Sequence, residues 1–317
     1  MKKPPFVSIP ICTYNGAEFL KQQIESIYAQ TYKNIEVIAC DDASTDNTVK
    51  ILEKYHLSHG LKYYVHKKNV GVNKNVSKAL SLCSGDFIAT SDQDDIWEKD
   101  KIQRLIHHIK ESCLIYSLST PIDENNNPLV NFSIRKKAYV NGNNNLAFLF
   151  TNCVSGHTLM FKREILPFLE TIPQSIYPDW WIAFVASTYG KITFLDESLV
   201  YYRRHSSQLT NSQKHLKSNF FFKFTNKEKV KKQYILNLTQ QLSDFSTLSI
   251  LDNSTKTYIE NLKTEFQNFS HLYYNKNLEH LLQEKEKEIF EIHSENISKY
   301  KKRFSRGLWY YRMRMYL

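Results

Sequence analysis

Apolar and polar positions follow two alternating periods along the first 110 residues. Val7-Ser8-Ile9-Pro10-Ile11-Cys12 is a short, β-compatible run that stops at the turn signal Tyr14-Asn15-Gly16. Phe19, Leu20, Ile24 and Ile27 then recur at helical spacing. Ile35-Glu36-Val37-Ile38-Ala39-Cys40 predicts a second buried strand, running into Asp41-Asp42-Ala43-Ser44-Thr45-Asp46. Ser44 or Thr45 is placed to cap a helix that Val49, Ile51 and Leu52 begin to define. Leu61–Val65 predicts a third strand. A turn at Asn69-Val70-Gly71 leads to a helix over 73–83, Phe87–Thr90 forms a fourth strand, and another helix covers 98–111.

Strand–helix alternation with short loops predicts an α/β fold with a doubly wound, mainly parallel sheet. Such sheets bind ligands beyond the carboxyl ends of their strands. Tyr14, Asp41-Asp42 and Asp92-Asp94 all lie at such ends, so polar residues from three segments should meet at one edge. Beyond residue 115 the pattern loosens. Residues 123–145 are Asn-rich and predict loops with a strand pair. Residues 146–170 suggest a helix and then an apolar strand around Ser155–Phe161. Tyr177-Pro178-Asp179 precedes a helix starting near Trp180, and Lys191–Leu195 is a late strand. Leu278, Leu281, Leu282, Ile289 and Ile292 have the spacing of amphipathic helices.

Charge sharpens the division. Residues 211–317 hold 19 Lys and Arg against 11 Asp and Glu, which accounts for +8 of the net +10. All eight prolines and seven of the eight glycines precede residue 211. A near-neutral, turn-rich domain over 1–210 is therefore followed by a basic helical region over 211–317. Five widely spaced cysteines, without a C-x-x-C or Cys/His pattern, read as reduced thiols. No secretory signal and no run of ~18 apolar residues occurs, so the expected location is cytoplasmic.

Familiar nucleotide and nucleophile motifs are missing: there is no G-x-G-x-x-G, no G-x-x-x-x-G-K-[ST] and no G-x-S-x-G. An EF-hand counted from Asp92 fails, because Trp97 occupies its Gly position and Gln103 its Glu position. What remains is Asp92-Gln93-Asp94-Asp95 directly after a buried strand. Carboxylates this close repel one another unless something neutralises them. In an extended segment Asp92 and Asp94 point the same way, and a hard cation such as Mg²⁺ or Mn²⁺ suits them. A solvated loop that caps the next helix is the plainer alternative.

The stretch VSIPICTYNGAEFLKQQIESIYAQTYKNIEVIACDDASTDNT, then NVGVNKN, then GDFIATSDQDDIW, resembles the start of a family 2 glycosyltransferase with a GT-A fold. The similarity is greatest to the bacterial branch that builds surface polysaccharides and includes many rhamnosyltransferases. It covers residues 6–110 closely and continues more weakly to 210. The resemblance implies roles by motif. Thr13, Tyr14 and Asp41 would hold the base of a sugar nucleotide, with Asp42 nearby. Asp92 would lie by the ribose, and Asp94 would coordinate Mn²⁺ or Mg²⁺ on the diphosphate. Lys74 would stand in for an Arg that the commoner family form carries after Asn69-Val70-Gly71. Asp179 is similar to the family's late catalytic Asp, with Trp180 or Trp181 offering a face to a sugar ring. His205 matches a late His of this branch that would complete the metal site or touch the diphosphate, and Arg203 or Arg204 would pair with phosphate oxygens. His157 has no supporting partner in sequence and reads as structural.

The resemblance thus implies an inverting, metal-dependent transferase using a UDP- or dTDP-sugar, with dTDP-rhamnose a candidate donor and a growing glycan as acceptor. A sugar nucleotidyltransferase would need a cationic Gly-rich loop where Tyr14–Glu18 stands. A non-catalytic scaffold that keeps an idle site is the rival from another class. The tail from Lys299 to Arg314 carries seven Lys and Arg with Phe304, Trp309, Tyr310 and Tyr311, and no acid follows Glu295. Interleaved Trp and Tyr fit an anionic membrane surface, and a lipid-linked acceptor there, better than nucleic acid. A homo-oligomer contact through the Leu/Ile stripes is the competitor.

Overall fold

The computed structural model describes residues 3–129, 138–205, 227–268 and 275–305. The chain splits into two compact units. One comprises Met1–Arg135, Val140–Asn145 and Val154–Arg204, and the other Lys136–Tyr139, Leu146–Cys153 and His205–Leu317. The boundary anticipated near residue 210 lies outside the described residues.

The first unit is built on an eight-stranded sheet. The strands are β1 (Val7–Thr13), β2 (Ile35–Asp41), β3 (Lys62–Val65), β4 (Phe87–Ala89), β5 (Ile96–Trp97), β6 (Leu114–Ile122), β7 (Leu159–Lys162) and β8 (Ile192–Arg203). Their order is β3-β2-β1-β4-β7-β6-β8-β5. The pairs β1/β2, β2/β3, β1/β4 and β6/β8 are parallel; β4/β7, β6/β7 and β5/β8 are antiparallel. β1 is central and covered on both faces, which is why Val7, Ile9 and Ile11 are fully buried. Its register with β2 sets Thr13 beside Asp41 at the carboxyl end.

Helices cover this half as the periodicity predicts. α1 (Leu20–Tyr28) buries Leu20, Ile24 and Ile27, while α2 (Thr48–His59), α3 (Val72–Ser81) and α4 (Lys101–Ile109) follow their strands. α4 buries the stripe Ile102, Leu105 and Ile109. The start of α2 differs from the sequence expectation. Asp46, not Ser44 or Thr45, accepts from Thr48 N–H at 2.9 Å. Ser44 is spent elsewhere, donating to Asp41 and accepting from Asn15 N–H.

The later part departs further. The helix expected within 146–170 is replaced by short 3-10 turns at Asn145–Phe148, Gly156–Thr158 and Arg163–Phe168 around β7. Pro167 and the β-compatible run 159–161 break any longer helix. Among the described residues, 123–145 supply isolated bridges, Ile122 with Pro128 and Gly142 with Ile192, rather than a strand pair. α5 (Pro178–Tyr189) starts as expected, with Pro at its first turn. β8 runs on to Arg203 and pairs with β6, with register shifts near Ser117 and Leu118.

The second unit contains α6 (Lys227–Ser246), α7 (Asn253–Asn268), α8 (Lys276–Glu284) and α10 (Ile297–Ser305), with the one-turn α9 (Glu286–Ile289) between the last two. Leu278, Leu282, Ile289 and Ile292 are buried, as their spacing predicts. Asn275 caps α8, accepting from Leu278 N–H at 3.0 Å. Phe304 is buried against Phe150, Phe266 and Phe290, and Lys301 pairs with Glu286. Trp309, Tyr310, Tyr311, Arg312 and Arg314 lie outside the described residues. Among those described, no helix is long and apolar enough to cross a membrane.

Candidate active site

At the carboxyl end of β1 and β2 the polar groups hold one another. Thr13 Oγ1 donates to Asp41 Oδ1 at 2.7 Å, and Ser44 donates to the same carboxylate through N–H (2.8 Å) and Oγ (2.5 Å). Asp41 is fully buried, so these donors are what make its burial tolerable. Asp42 accepts from Val70 N–H at 2.7 Å and Gly71 N–H at 2.9 Å, and thereby fixes the loop that opens α3. Gly71 has φ +86, a conformation that glycine adopts without strain. Lys74, one turn later, is exposed, and the Tyr14 side chain is 47% exposed beside this cluster of loops.

β4 delivers the acidic loop next to β1, where Ser91 bridges to Ile11. Asp92 is exposed, Asp94 half-buried and Asp95 fully buried. Three side chains converge here: ligand atoms of Asp92, Asp95 and His157 all lie within 4.8 Å of one another. His157 Nδ1 is 3.5 Å from Asp92 Oδ2 and 3.9 Å from Asp95 Oδ2. Its ring stacks on Tyr202 at 4.7 Å, and Nε2 is 3.1 Å from Ser119 Oγ. Burial opposes charge on His157, but Asp95 and Asp92 outweigh it and raise its pKa. Burial pushes Asp95 upward, Asp92 and Asp94 add to this, and His157 pulls the other way.

These residues fit a divalent cation. Asp95 Oδ2 is buried without a hydrogen-bond partner, and two carboxylates with one imidazole form a donor set suited to Mn²⁺. Sequence reasoning placed Asp94 and His205 at the metal. The structure instead assembles Asp92, Asp95 and His157; Asp94 sits on the same loop, and His205 is half-buried directly after Arg204.

Two buried basic side chains brace the loop, and burial pulls Lys101 well below the usual lysine range, with Asp95 and Asp92 opposing the shift. Lys101 Nζ donates to His157 C=O at 2.7 Å and lies 3.4 Å from the centre of the Trp97 ring. Arg203 is fully buried and spends its guanidinium on protein acceptors. These are Asp94 C=O (2.8 Å), Gln22 Oε1 (2.8 Å), Asn126 Oδ1 (2.7 Å) and the carbonyls of Asp123 and Glu124. Its backbone N–H donates to Asp95 Oδ1 at 3.0 Å. Arg203 is therefore a clamp on the loop, whereas Arg204 is half-buried and reaches Tyr202 Oη at 3.3 Å.

Asp179 stands in the first turn of α5, accepting from Trp180 N–H at 2.8 Å. Burial raises its pKa to about 6. Asp92 adds to the rise, and the N–H groups of Trp180 and Gly156, with His157, oppose it. Of the two tryptophans, Trp181 is buried against Phe184 and belongs to the core, while Trp180 is half-buried beside Asp179.

Sequence reasoning missed Lys101 and gave Asp95 no role. One signal for Lys101 was available: a lysine in the first turn of a helix faces the positive end of its dipole, so the position needs another reason.

Comparison with known proteins bears on the fold and the family. A chondroitin synthase of Escherichia coli is 31% identical over 134 residues, which is 41% of this chain and 20% of that protein. An uncharacterized glycosyltransferase of Haemophilus influenzae is 26% identical over 227 residues, covering 68% of this chain and 70% of its own length. The chain thus spans only part of these relatives. Among solved structures, S. aureus TarS 1–349 in complex with UDP-GlcNAc superposes with a TM-score of 0.59 at 18% identity, over 94% of this chain and 86% of that one. A mannosyltransferase of Pyrobaculum calidifontis in complex with GDP-Man and Mn²⁺ gives 0.54 at 17% identity, over 89% and 73%. The fold is GT-A. The model of glycosyl transferase family 2 matches residues 8–167, and the chain belongs to that family.

Proposed function

We propose that the protein is an inverting glycosyltransferase that moves a sugar from a nucleoside-diphosphate donor to a hydroxyl of a growing surface glycan. The observation that carries this reading is the meeting of Asp179, its pKa raised to about 6, with Asp92 and His157 at the carboxyl end of the sheet. A base with such a pKa is deprotonated at neutral pH and still basic enough to take a proton from an alcohol as it attacks. In this reading the loop at Thr13-Tyr14, with Asp41 and Asp42 behind it, holds the nucleoside. Asp179 accepts the acceptor hydroxyl proton, that oxygen bonds to the anomeric carbon, and the bond to the diphosphate breaks on the opposite face. A divalent cation would be held by Asp92, Asp95 and His157, with Asp94 on the same loop, and would balance the charge of the departing diphosphate. Trp180 offers its ring to the acceptor sugar, and Arg204, beside Tyr202, pairs with phosphate oxygens.

Transfer assays with UDP- and dTDP-sugars, dTDP-rhamnose included, test the reading in Mn²⁺ and in chelator. Asp92→Ala, which removes the exposed member of the Asp92, Asp95 and His157 trio, should nearly abolish transfer while leaving the fold intact. Full activity in chelator would remove the metal from the mechanism, and nucleotide binding without any turnover would favour a scaffold. We further propose that the basic region brings the site to a lipid-linked acceptor at an anionic membrane face, on the strength of its +8 charge. Truncation after Ser305 tests this, since Phe304 closes the aromatic cluster and must be kept. Loss of binding to anionic vesicles supports it; a broken oligomer with vesicle binding unchanged points to the rival.

A further inference from the structure

We infer that Gln93 is a positioning residue that sets the spacing between the nucleoside side and the diphosphate side of the donor site. The inference rests on the donor-site reading above. In this sheet the strand order reverses beside β1: β2 and β3 lie on one side and β4 on the other, so the crevice between the β1 and β4 ends is the ligand-binding position of such folds. The Gln93 carboxamide bridges that crevice. Its Oε1 accepts from Tyr14 N–H at 2.9 Å, and its Nε2 donates to Tyr14 C=O at 3.1 Å. One side chain thus pairs with both backbone groups of one residue, as a neighbouring strand would. Glutamine has the donor, the acceptor and the reach that this pairing needs.

Each loop is otherwise fixed to its own surroundings. Asn15 N–H donates to Ser44, Gly16 N–H to Thr48 Oγ1, and Ala17 N–H to Asp46. The acidic loop is held from the far side by Arg203. Deeper in the crevice Ser91 N–H donates to Pro10 C=O, and Gln23 Nε2 donates to Ser91 Oγ at 2.6 Å. Gln93 carries the tie two residues further out, to the level of Asp92 and Asp94. It also explains Gly16: a Cβ there would meet the Gln93 carboxamide well inside contact distance. Gly16 is not at positive φ, so an alanine there would meet the movable end of Gln93 and no backbone strain.

The geometry therefore makes a coupled prediction. Gln93→Ala removes two hydrogen bonds and should weaken UDP, dTDP or GDP in Mn²⁺, whichever the protein binds, by about 5- to 30-fold. Gly16→Ala should weaken it as much, by displacing the carboxamide. The double variant should be no worse than either single one, because the added methyl then meets no carboxamide. Calorimetric titration of the four proteins, with thermal melts of each without ligand, measures this. Undiminished nucleotide binding by Gln93→Ala, or effects that multiply in the double variant, overturns the inference while leaving the donor site standing. A Gln93→Ala chain that fails to fold assigns the residue to stability and also overturns it. If the wild type binds none of the three nucleotides, the donor-site reading falls and this inference with it.

Discussion

The two halves of the sheet solve different problems. From β1 to β4 each strand hands its chain to the next polar loop, so Thr13, Asp41, Asp42 and the acidic loop lie within a residue or a few of a buried parallel strand. From β6 to β8 the chain returns to support that edge. His157 precedes β7, Asp179 opens α5 and Arg203 ends β8, yet all three act on groups around residues 92–95. The first half presents the carboxylates, and the second makes their crowding tolerable. Crowded acids therefore need not be neutralised by a ligand alone. Here His157, facing Asp92 and Asp95, and the Arg203 N–H, donating to Asp95, share that work.

The largest expected effect removes the second half's chemical contribution. Asp179→Asn should lower kcat by about 10²- to 10⁴-fold while nucleotide binding stays within a few-fold, measured by transfer rate against titration. Unchanged kcat would return Asp179 to a helix-start role. Next comes the clamp. Arg203→Met leaves the carbonyls of Asp94, Asp123 and Glu124 without their buried donor and should cost about 3 kcal/mol of stability, read from denaturant unfolding.

The pH dependence is smaller and sharper. With Asp179 at about 6, kcat/KM should be flat above neutrality and fall on the acid side, to about a tenth of the plateau at one unit below that value. Asp179→Asn should lose this limb. A control in the first half lies far from the site. Glu36 accepts from Ser8, Ser84 and Lys62, and burial is opposed by these donors so that its pKa falls to about 2. A carboxylate with a depressed folded pKa stabilises the fold above its unfolded value near 4.5, and that contribution is lost as pH falls toward 2. Glu36→Gln should therefore cost on the order of 2 kcal/mol at pH 7 and little at pH 2, since solvent screens Lys62. The transfer rate at pH 7 should not change.

Much of the first half was legible because its information is local. The short apolar runs Val7–Cys12 and Ile35–Cys40, the helical period in α1 and α4, and acids placed just after buried runs can be read without knowing what lies across the sheet. The late elements were less so. β8 reads as a strand only to Leu195, because its outer part mixes charged and aromatic residues and is held by pairing with β6 and β5. In 146–170 the apolar strand was legible and forms β7, paired with β4 and β6, but the helix expected ahead of it is only a 3-10 turn.

The site divides in the same way. Tyr14, Asp41, Asp92 and Asp94 announce themselves by residue type and position. His157 looked structural because its carboxylate partners are more than 60 residues away in sequence, and Arg203 looked like a phosphate ligand because a free arginine is one. Only the folded chain shows that His157 faces Asp92 and Asp95, and that the Arg203 donors are already taken. Sequence by itself determined the parallel core, its strand-end carboxylates and the family, because hydrophobic period and local motif survive in one dimension. Tertiary structure decided which charges neutralise which, because electrostatic and hydrogen-bond partners are chosen by distance in space, and pairing across the sheet sets that distance.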